Sequence, residues 1–204
     1  MIDNEKKTQI LQAATKLFAY YGYEKTTLEE IGNLAGLNKT SLYYYYKNKE
    51  TIYIDVIRSE TGRFLSRSMA SVNDINGCTE RVLFFLKELR KYPEGNVNLQ
   101  KLAIEMNKGS RPGFNQLSME IMEIFTGHLA GILENGVKAG EIKSCDSRKV
   151  ARSIITVAQA IENRKFNCID SNLKENVDYS EIGEEINFTI SLILDGLLTK
   201  KQAN

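Results

Sequence analysis

A chain of 204 residues has room for one large domain, or for a small domain joined to a larger one. Its 42% hydrophobic content and mixed charge indicate a globular protein and exclude a disordered one. With 27 basic against 26 acidic side chains, net charge carries no sign of nucleic acid, and no apolar run approaches a membrane span.

In chain order, residues 4–21 are predicted as a first helix, because Ile10, Leu11, Ala14, Leu17, Phe18 and Tyr21 fall on one stripe that Gly22 can end. Asp3 and Glu5 precede any apolar run, so the start does not read as a signal peptide. The most informative stretch follows, at residues 27–49. Thr27 with Glu30 three positions on has the form of a capping box. Leu28, Ile31 and Ala35 lie on one helical face, and Gly36 suits a left-handed exit. Asn38 can cap a second short helix, with Leu37 and Leu42 placed as a hydrophobic staple across its start. Two short helices joined by so tight a turn read as a helix-turn-helix.

The second helix, residues 39–46, runs Lys-Thr-Ser-Leu-Tyr-Tyr-Tyr-Tyr. Leu42 and one or two of the tyrosines can face the core, so most polar tips must point outward. An ammonium, hydroxyls and phenols can bond phosphate oxygens and base edges. Asn48 can cap a third stretch whose first turn carries Lys49, an ammonium beside free N–H groups, which suits a phosphate. Charge focuses here too: from Ile31 to Lys49 there are three lysines, Lys39, Lys47 and Lys49, and no carboxylate. The plain alternative is a solvated aromatic turn, for which four consecutive tyrosines are a poor choice.

These residues carry a family resemblance. Ile10, Leu11, Ala13, Ala14, Leu17, Phe18, Gly22, Tyr23, Thr26, Thr27, Ile31, Ala35, Gly36, Lys39, Leu42, Tyr43, Lys49 and Glu50 stand in an order and spacing that resembles the N-terminal domain of tetracycline-repressor (TetR) family regulators. The departures are Gly32 and Leu37 for the usual Ala and Val, Asn38 for a capping Ser, Thr40 and Ser41 for Gly and Thr, and Tyr45 and Tyr46 for His and Phe. They bear on operator sequence. The resemblance implies a DNA-binding domain at 4–64 and an effector-binding and dimerisation domain at 65–204. It implies a homodimer on double-stranded operator DNA and repression relieved by a small-molecule effector, while the missing catalytic or cofactor motif argues against an enzyme. Lys39, Thr40 and Tyr43 match positions that approach bases; Thr27, Ser41, Tyr44, Tyr45 and Lys49 match positions that hold phosphates; Tyr46 matches a buried one. Effector binding would tilt a linking helix and change the spacing of the two reading heads.

Beyond the motif, residues 50–69 read as that linking helix, with Ile52, Tyr53, Val56 and Ile57 inward. A helix around Val82, Phe85, Leu86 and Leu89 is broken by Tyr92-Pro93-Glu94-Gly95, and Leu99, Leu102, Ala103 and Met106 mark another. Residues 114–139 form the longest apolar face, and residues 147–166 and 181–199 close the chain, capped by Asp146 and Ser180 around a polar loop at 167–179. The fold is predicted all-α, with about nine helices. Surplus aliphatic surface on the last two helices, with Ala151, Ala158 and Leu194, predicts a two-fold dimer built on their contact.

His128, the one histidine, sits on the apolar face of the longest helix. A core histidine is one reading and a polar anchor for an apolar ligand the other. Phe85, Met106, Met122 and Phe125, with Met119 and Phe114, are either plain core or the lining of an adaptable pocket. Cys78, Cys145 and Cys168 lie far apart and form no metal-ligand spacing, which suits a reducing cytoplasm. Two further function classes stay open: a helical enzyme or carrier with a vestigial head, and a DNA-binding regulator controlled by a protein partner.

Overall fold

The computed structural model describes residues 2–92, 112–168 and 179–199. Among them are eight helices: α1 Ile2–Lys25, α2 Leu28–Leu34, α3 Lys39–Tyr45, α4 Lys49–Asn73, α5 Cys78–Lys91, α6 Pro112–Lys138, α7 Ser147–Cys168 and α8 Tyr179–Asp195. The all-α expectation stands. The expected helix around Leu99 to Met106, and most of the expected loop at 167–179, lie outside the described residues.

The local signals act where the sequence puts them. Helical torsion breaks at Gly22 (φ 81°, ψ 170°), so α1 turns there before its last three residues. Thr27 and Glu30 form the full capping box: the Thr27 amide donates to Glu30 Oε2 at 2.8 Å, and the Glu30 amide to Thr27 Oγ1 at 3.2 Å. Asn38 Oδ1 accepts the Ser41 amide, Asn48 Oδ1 the Thr51 amide and Asp146 Oδ1 the Lys149 amide, at 2.8, 2.9 and 3.0 Å. Pro112 opens α6, where its fixed φ is already helical and its missing N–H costs nothing.

At the C-terminal end the boundaries differ from expectation. Helix α8 begins at Tyr179, so Ser180 lies in its first turn and is not its cap. The helix stops at Asp195, and Leu198 forms an antiparallel bridge to Ile142, while the Lys143 amide donates to Leu197 O at 2.7 Å. The left-handed Gly140 (φ 71°) turns the chain after α6 toward this pairing. Periodicity alone could not show that pairing.

The described residues fall into two compact units. The first holds residues 2–67, 90–92 and 112–121, the second residues 68–89, 122–168 and 179–199. In the first, Ile10, Ala14 and Phe18 of α1 are buried with Ile31, Leu42, Ile52 and Val56. An aromatic cluster closes this core: Phe18, Tyr23 and Phe114 surround Tyr53 with ring centroids 4.8, 5.0 and 5.4 Å away. Phe114 is therefore core of the first unit and not pocket lining, and Met119 is 74% exposed.

In the second unit, Val82, Phe85, Phe125, Leu129, Ile154, Ile186 and Leu194 are buried. Helices α7 and α8 pack on each other within the protomer. Ala151 and Leu194 are wholly buried and Ala158 nearly so, which corrects their assignment to a dimer contact. The stripe that reads as surplus is spent inside one chain, while Phe188 and Leu192, one helical turn apart on α8, are 67% and 58% exposed.

The turn between α2 and α3 depends on two glycines. Gly36 has φ 69°, and Gly32 lies so close to the turn that a Cβ there would meet Leu37 O at 3.0 Å. Nothing lies near the position of a Cβ on Gly36, so replacement there costs backbone strain and no clash. Gly36→Ala is expected to lower stability by about 1–2 kcal/mol, and Gly36→Asn by less, read as shifts in the urea midpoint at unchanged slope.

Candidate nucleic-acid interface

Helix α3 is anchored by its two apolar contributions and leaves the rest to solvent. Leu42 is wholly buried and Tyr46, the C-cap residue, is 5% exposed. Lys39 and Thr40 are exposed, and Tyr43 and Tyr44 are 47% and 76% exposed. Ser41 and Tyr45 are half-buried, and Tyr45 meets the Tyr44 ring edge-on at 5.1 Å. Burying Leu42 contributes about 1.5–3 kcal/mol, enough to fix which face of so short a helix turns inward. The outward face is then a row of one ammonium, one hydroxyl and two phenols, with the exposed Lys47 just beyond it.

Tyr46 is held at both ends. Its hydroxyl donates to Asp55 Oδ2 at 3.1 Å, and Lys7 Nζ lies 5.4 Å from its ring centroid and 3.2 Å from the same carboxylate oxygen. Burial, then the Asp55 charge, raise its phenol far above the ordinary range, so it stays a donor at any physiological pH.

Lys49 has a different place from the phosphate clamp its position suggests. Its ammonium donates to three backbone carbonyls, Tyr23 O at 2.7 Å, Thr26 O at 2.8 Å and Glu24 O at 3.1 Å, and stands 4.5 Å from the Tyr23 ring centroid. An ammonium has three hydrogens, and all three are used within the chain. The carbonyls that end α1 are orphans of the kind a lysine can satisfy. Thr27 is also committed: its hydroxyl donates to Glu30 Oε2 at 2.8 Å while accepting the Glu30 amide. The Thr27 amide first, and its hydroxyl second, hold the Glu30 carboxyl below its ordinary range. That contribution is therefore present above the usual carboxylate range and fades as pH falls through the lowered value.

The candidate effector residues lie in the second unit, except Met106, which is outside the described residues. Phe85 and Phe125 are buried, and Met122 and His128 half-buried. Met122, Phe125 and His128 follow one another at a spacing of three along α6. Gln159 of α7, which the sequence reading missed, donates through Nε2 to Met122 Sδ at 2.7 Å. A glutamine on a helix gives no sequence signal for such a contact. A solvent-open cleft of about 810 Å³ lies in the first unit instead, lined by Thr15, Ser59, Glu60, Gly62, Arg63, Ser66 and Arg67.

A capped two-helix head whose second helix presents a polar, cationic face defines a helix-turn-helix DNA-binding protein. The model of the tetR family of bacterial regulatory proteins matches residues 10–56. The fatty acid metabolism regulator protein of Bacillus subtilis is 30% identical over 153 residues, which cover 74% of this chain and 77% of that protein. Among solved structures, a transcriptional regulator from Cytophaga hutchinsonii is similar with a TM-score of 0.70 at 26% identity, over 93% of this chain and 97% of that one. The regulator FadR of Bacillus subtilis, crystallised in complex with stearoyl-CoA, has the same fold, with a TM-score of 0.61 at 23% identity over 93% and 98% of the two chains. The chain belongs to the TetR family and is a transcriptional regulator.

Because its donors are satisfied internally, Lys49 should act on folding more than on DNA charge. Lys49→Ala is expected to cost about 1–3 kcal/mol through the orphaned carbonyls. The log–log salt slope of DNA binding should stay unchanged, where loss of a phosphate contact would flatten it by about 0.9 per subunit. Urea unfolding and filter binding over a salt series measure the two effects separately.

Proposed function

We propose that this regulator is a repressor that binds a near-palindromic operator as a homodimer and is released by a small, largely apolar effector. The observation that carries the reading is the outward face of α3, where Lys39, Thr40, Tyr43 and Tyr44 stand exposed over a helix fixed by Leu42 and Tyr46. Lys39, Thr40 and Tyr43 read bases, while Tyr44, with Ser41 and Tyr45 beside it, holds phosphates. Residues 4–64 form the DNA-binding domain and residues 65–204 the effector and dimerisation domain. The protein acts in the cytoplasm, where its DNA lies, and it regulates without catalysing.

Effector chemistry follows from the candidate residues and the relatives together. Phe85, Met122 and Phe125 offer an apolar surface, with His128 and Gln159 as polar anchors. A relative named for fatty acid metabolism, and a fold neighbour holding stearoyl-CoA, support an acyl compound. The ligand must bind the released state more tightly than the DNA-bound one, or it shifts nothing. Dimerisation is assigned to the exposed Phe188 and Leu192 of α8, an apolar pair that one protomer leaves uncovered.

Selection of bound sequences from a random duplex library tests the DNA reading, and titration of the selected complex with stearoyl-CoA, stearate and free CoA tests the effector. Enrichment of a palindrome and its release by an acyl compound are expected; recovery of no preferred sequence would overturn the reading. Thr40→Ala should relax preference at one base pair per half-site, by about 1–3 kcal/mol, while the salt slope barely moves. His128→Leu should leave operator affinity intact and weaken release. Phe188→Glu with Leu192→Glu should give a folded monomer in sedimentation at micromolar concentration, and a persistent dimer would place the interface elsewhere.

A further inference from the structure

One guanidinium in the first unit is divided between two carboxylates, and the division bears on the recognition helix. Arg58 of α4 forks onto Glu120 of α6, with Nε 2.9 Å from Oε1 and Nη2 2.7 Å from Oε2. Its remaining arm reaches Asp55 Oδ1, one turn back on α4, at a looser 3.4 Å. Asp55 Oδ2 in turn accepts the Tyr46 hydroxyl at 3.1 Å and faces Lys7 Nζ at 3.2 Å. The chain Tyr46–Asp55–Arg58–Glu120 thus runs from the C-cap of α3 to α6.

We propose that Asp55 and Arg58 form a partner-exchange relay, through which the placement of Glu120 on α6 sets how firmly the recognition helix is seated. The inference rests on the DNA-binding reading above and adds a route by which α6, which also carries Met122, Phe125 and His128, acts on α3. While Glu120 holds the fork, Arg58 can spare Asp55 a single long contact, and the Asp55 carboxylate serves Tyr46. When α6 moves and Glu120 withdraws, the nearest carboxylate for the vacated fork is Asp55, at i−3 on the same helix. An Arg–carboxylate pair is strongest when bidentate. Asp55 then turns toward Arg58 and gives up the Tyr46 hydroxyl. That hydroxyl belongs to a residue only 5% exposed, and a buried donor without an acceptor is costly. Loosening the last turn of α3 relieves it. Arg58 and Glu120 are 48% and 37% exposed, so the relay is a modest bias on α3 and not a lock.

Relay and mere bracing make opposite predictions for Arg58. If the pair only braces the helices, removing either partner should have the same effect. If Arg58 exchanges partners, Glu120→Gln loosens α3 by freeing Arg58, whereas Arg58→Gln leaves Asp55 with Tyr46. The test is amide hydrogen exchange at Leu42 and Tyr46 in the free full-length protein, whose amides bond to Asn38 O and Leu42 O at 3.0 Å each. Glu120→Gln should speed exchange there by about threefold, Arg58→Gln should not, and the double variant should match Arg58→Gln. Tyr46→Phe should speed it alone, with no further gain from Glu120→Gln. In parallel, Glu120→Gln should weaken operator binding about threefold at an unchanged salt slope. Unchanged exchange in Glu120→Gln, or equal acceleration in Arg58→Gln, would overturn the relay. Because exchange is read without DNA, failure of the wild type to select any duplex would instead overturn the DNA-binding reading.

Discussion

Three backbone carbonyls converge on the ammonium of Lys49, and the DNA-binding head is built around that convergence. The carbonyls of Tyr23 and Glu24 lie in the last turn of the first helix and that of Thr26 just beyond it, immediately before the capping box that starts the second. One side chain from the start of α4 therefore fixes the junction from which the helix-turn-helix departs. The same ammonium lies over the Tyr23 ring, whose other neighbours are Phe18, Tyr53 and Phe114. A cation–π contact and three charge-assisted hydrogen bonds are each modest. Together they join α1, α4 and the first turn of α6 around one aromatic core.

On this frame the recognition helix needs little of its own. Seven residues make about two turns, too short for a stable isolated helix, so its conformation comes from the Asn38 cap, from Leu42 and from Tyr46. Restricting the fully buried contacts to those two side chains leaves Lys39, Thr40, Tyr43 and Tyr44 exposed. The departures from the usual family residues fall mainly on this helix and its turn, and two of them, Asn38 and Tyr46, are among the residues that hold it.

Signals that were legible in the sequence are short-range ones. The capping box at Thr27, the Asn38 and Asn48 caps, the turn at Gly36 and the burial of Leu42 each depend on residues within a few positions of one another, whereas the burial of Tyr46 was implied by the family resemblance alone. Lys49 was not legible, because an ammonium in a first helical turn suits a phosphate as well as it suits carbonyls more than twenty residues upstream. Leu194 and Phe188 teach the same lesson for the dimer. A helix with apolar residues on most sides shows that much is buried, and tertiary packing decides which side faces its own chain. The link from Tyr46 to Glu120 spans more than seventy residues through Asp55 and Arg58, and no local pattern marks those residues as partners. Effector residues stayed hardest to name, since Met and Phe at helical spacing serve a core and a pocket equally well.

In the proposed function, α3 lies in the major groove of a two-fold complex, with Lys39, Thr40 and Tyr43 toward the bases. Methylation interference at guanine N7 on a selected duplex tests it most directly, because N7 lies in the major groove. Two clusters of interfering guanines are expected, related by the dyad and centred about 10 base pairs or a whole multiple of turns apart. A single cluster, or interference confined to minor-groove adenine N3, would contradict it.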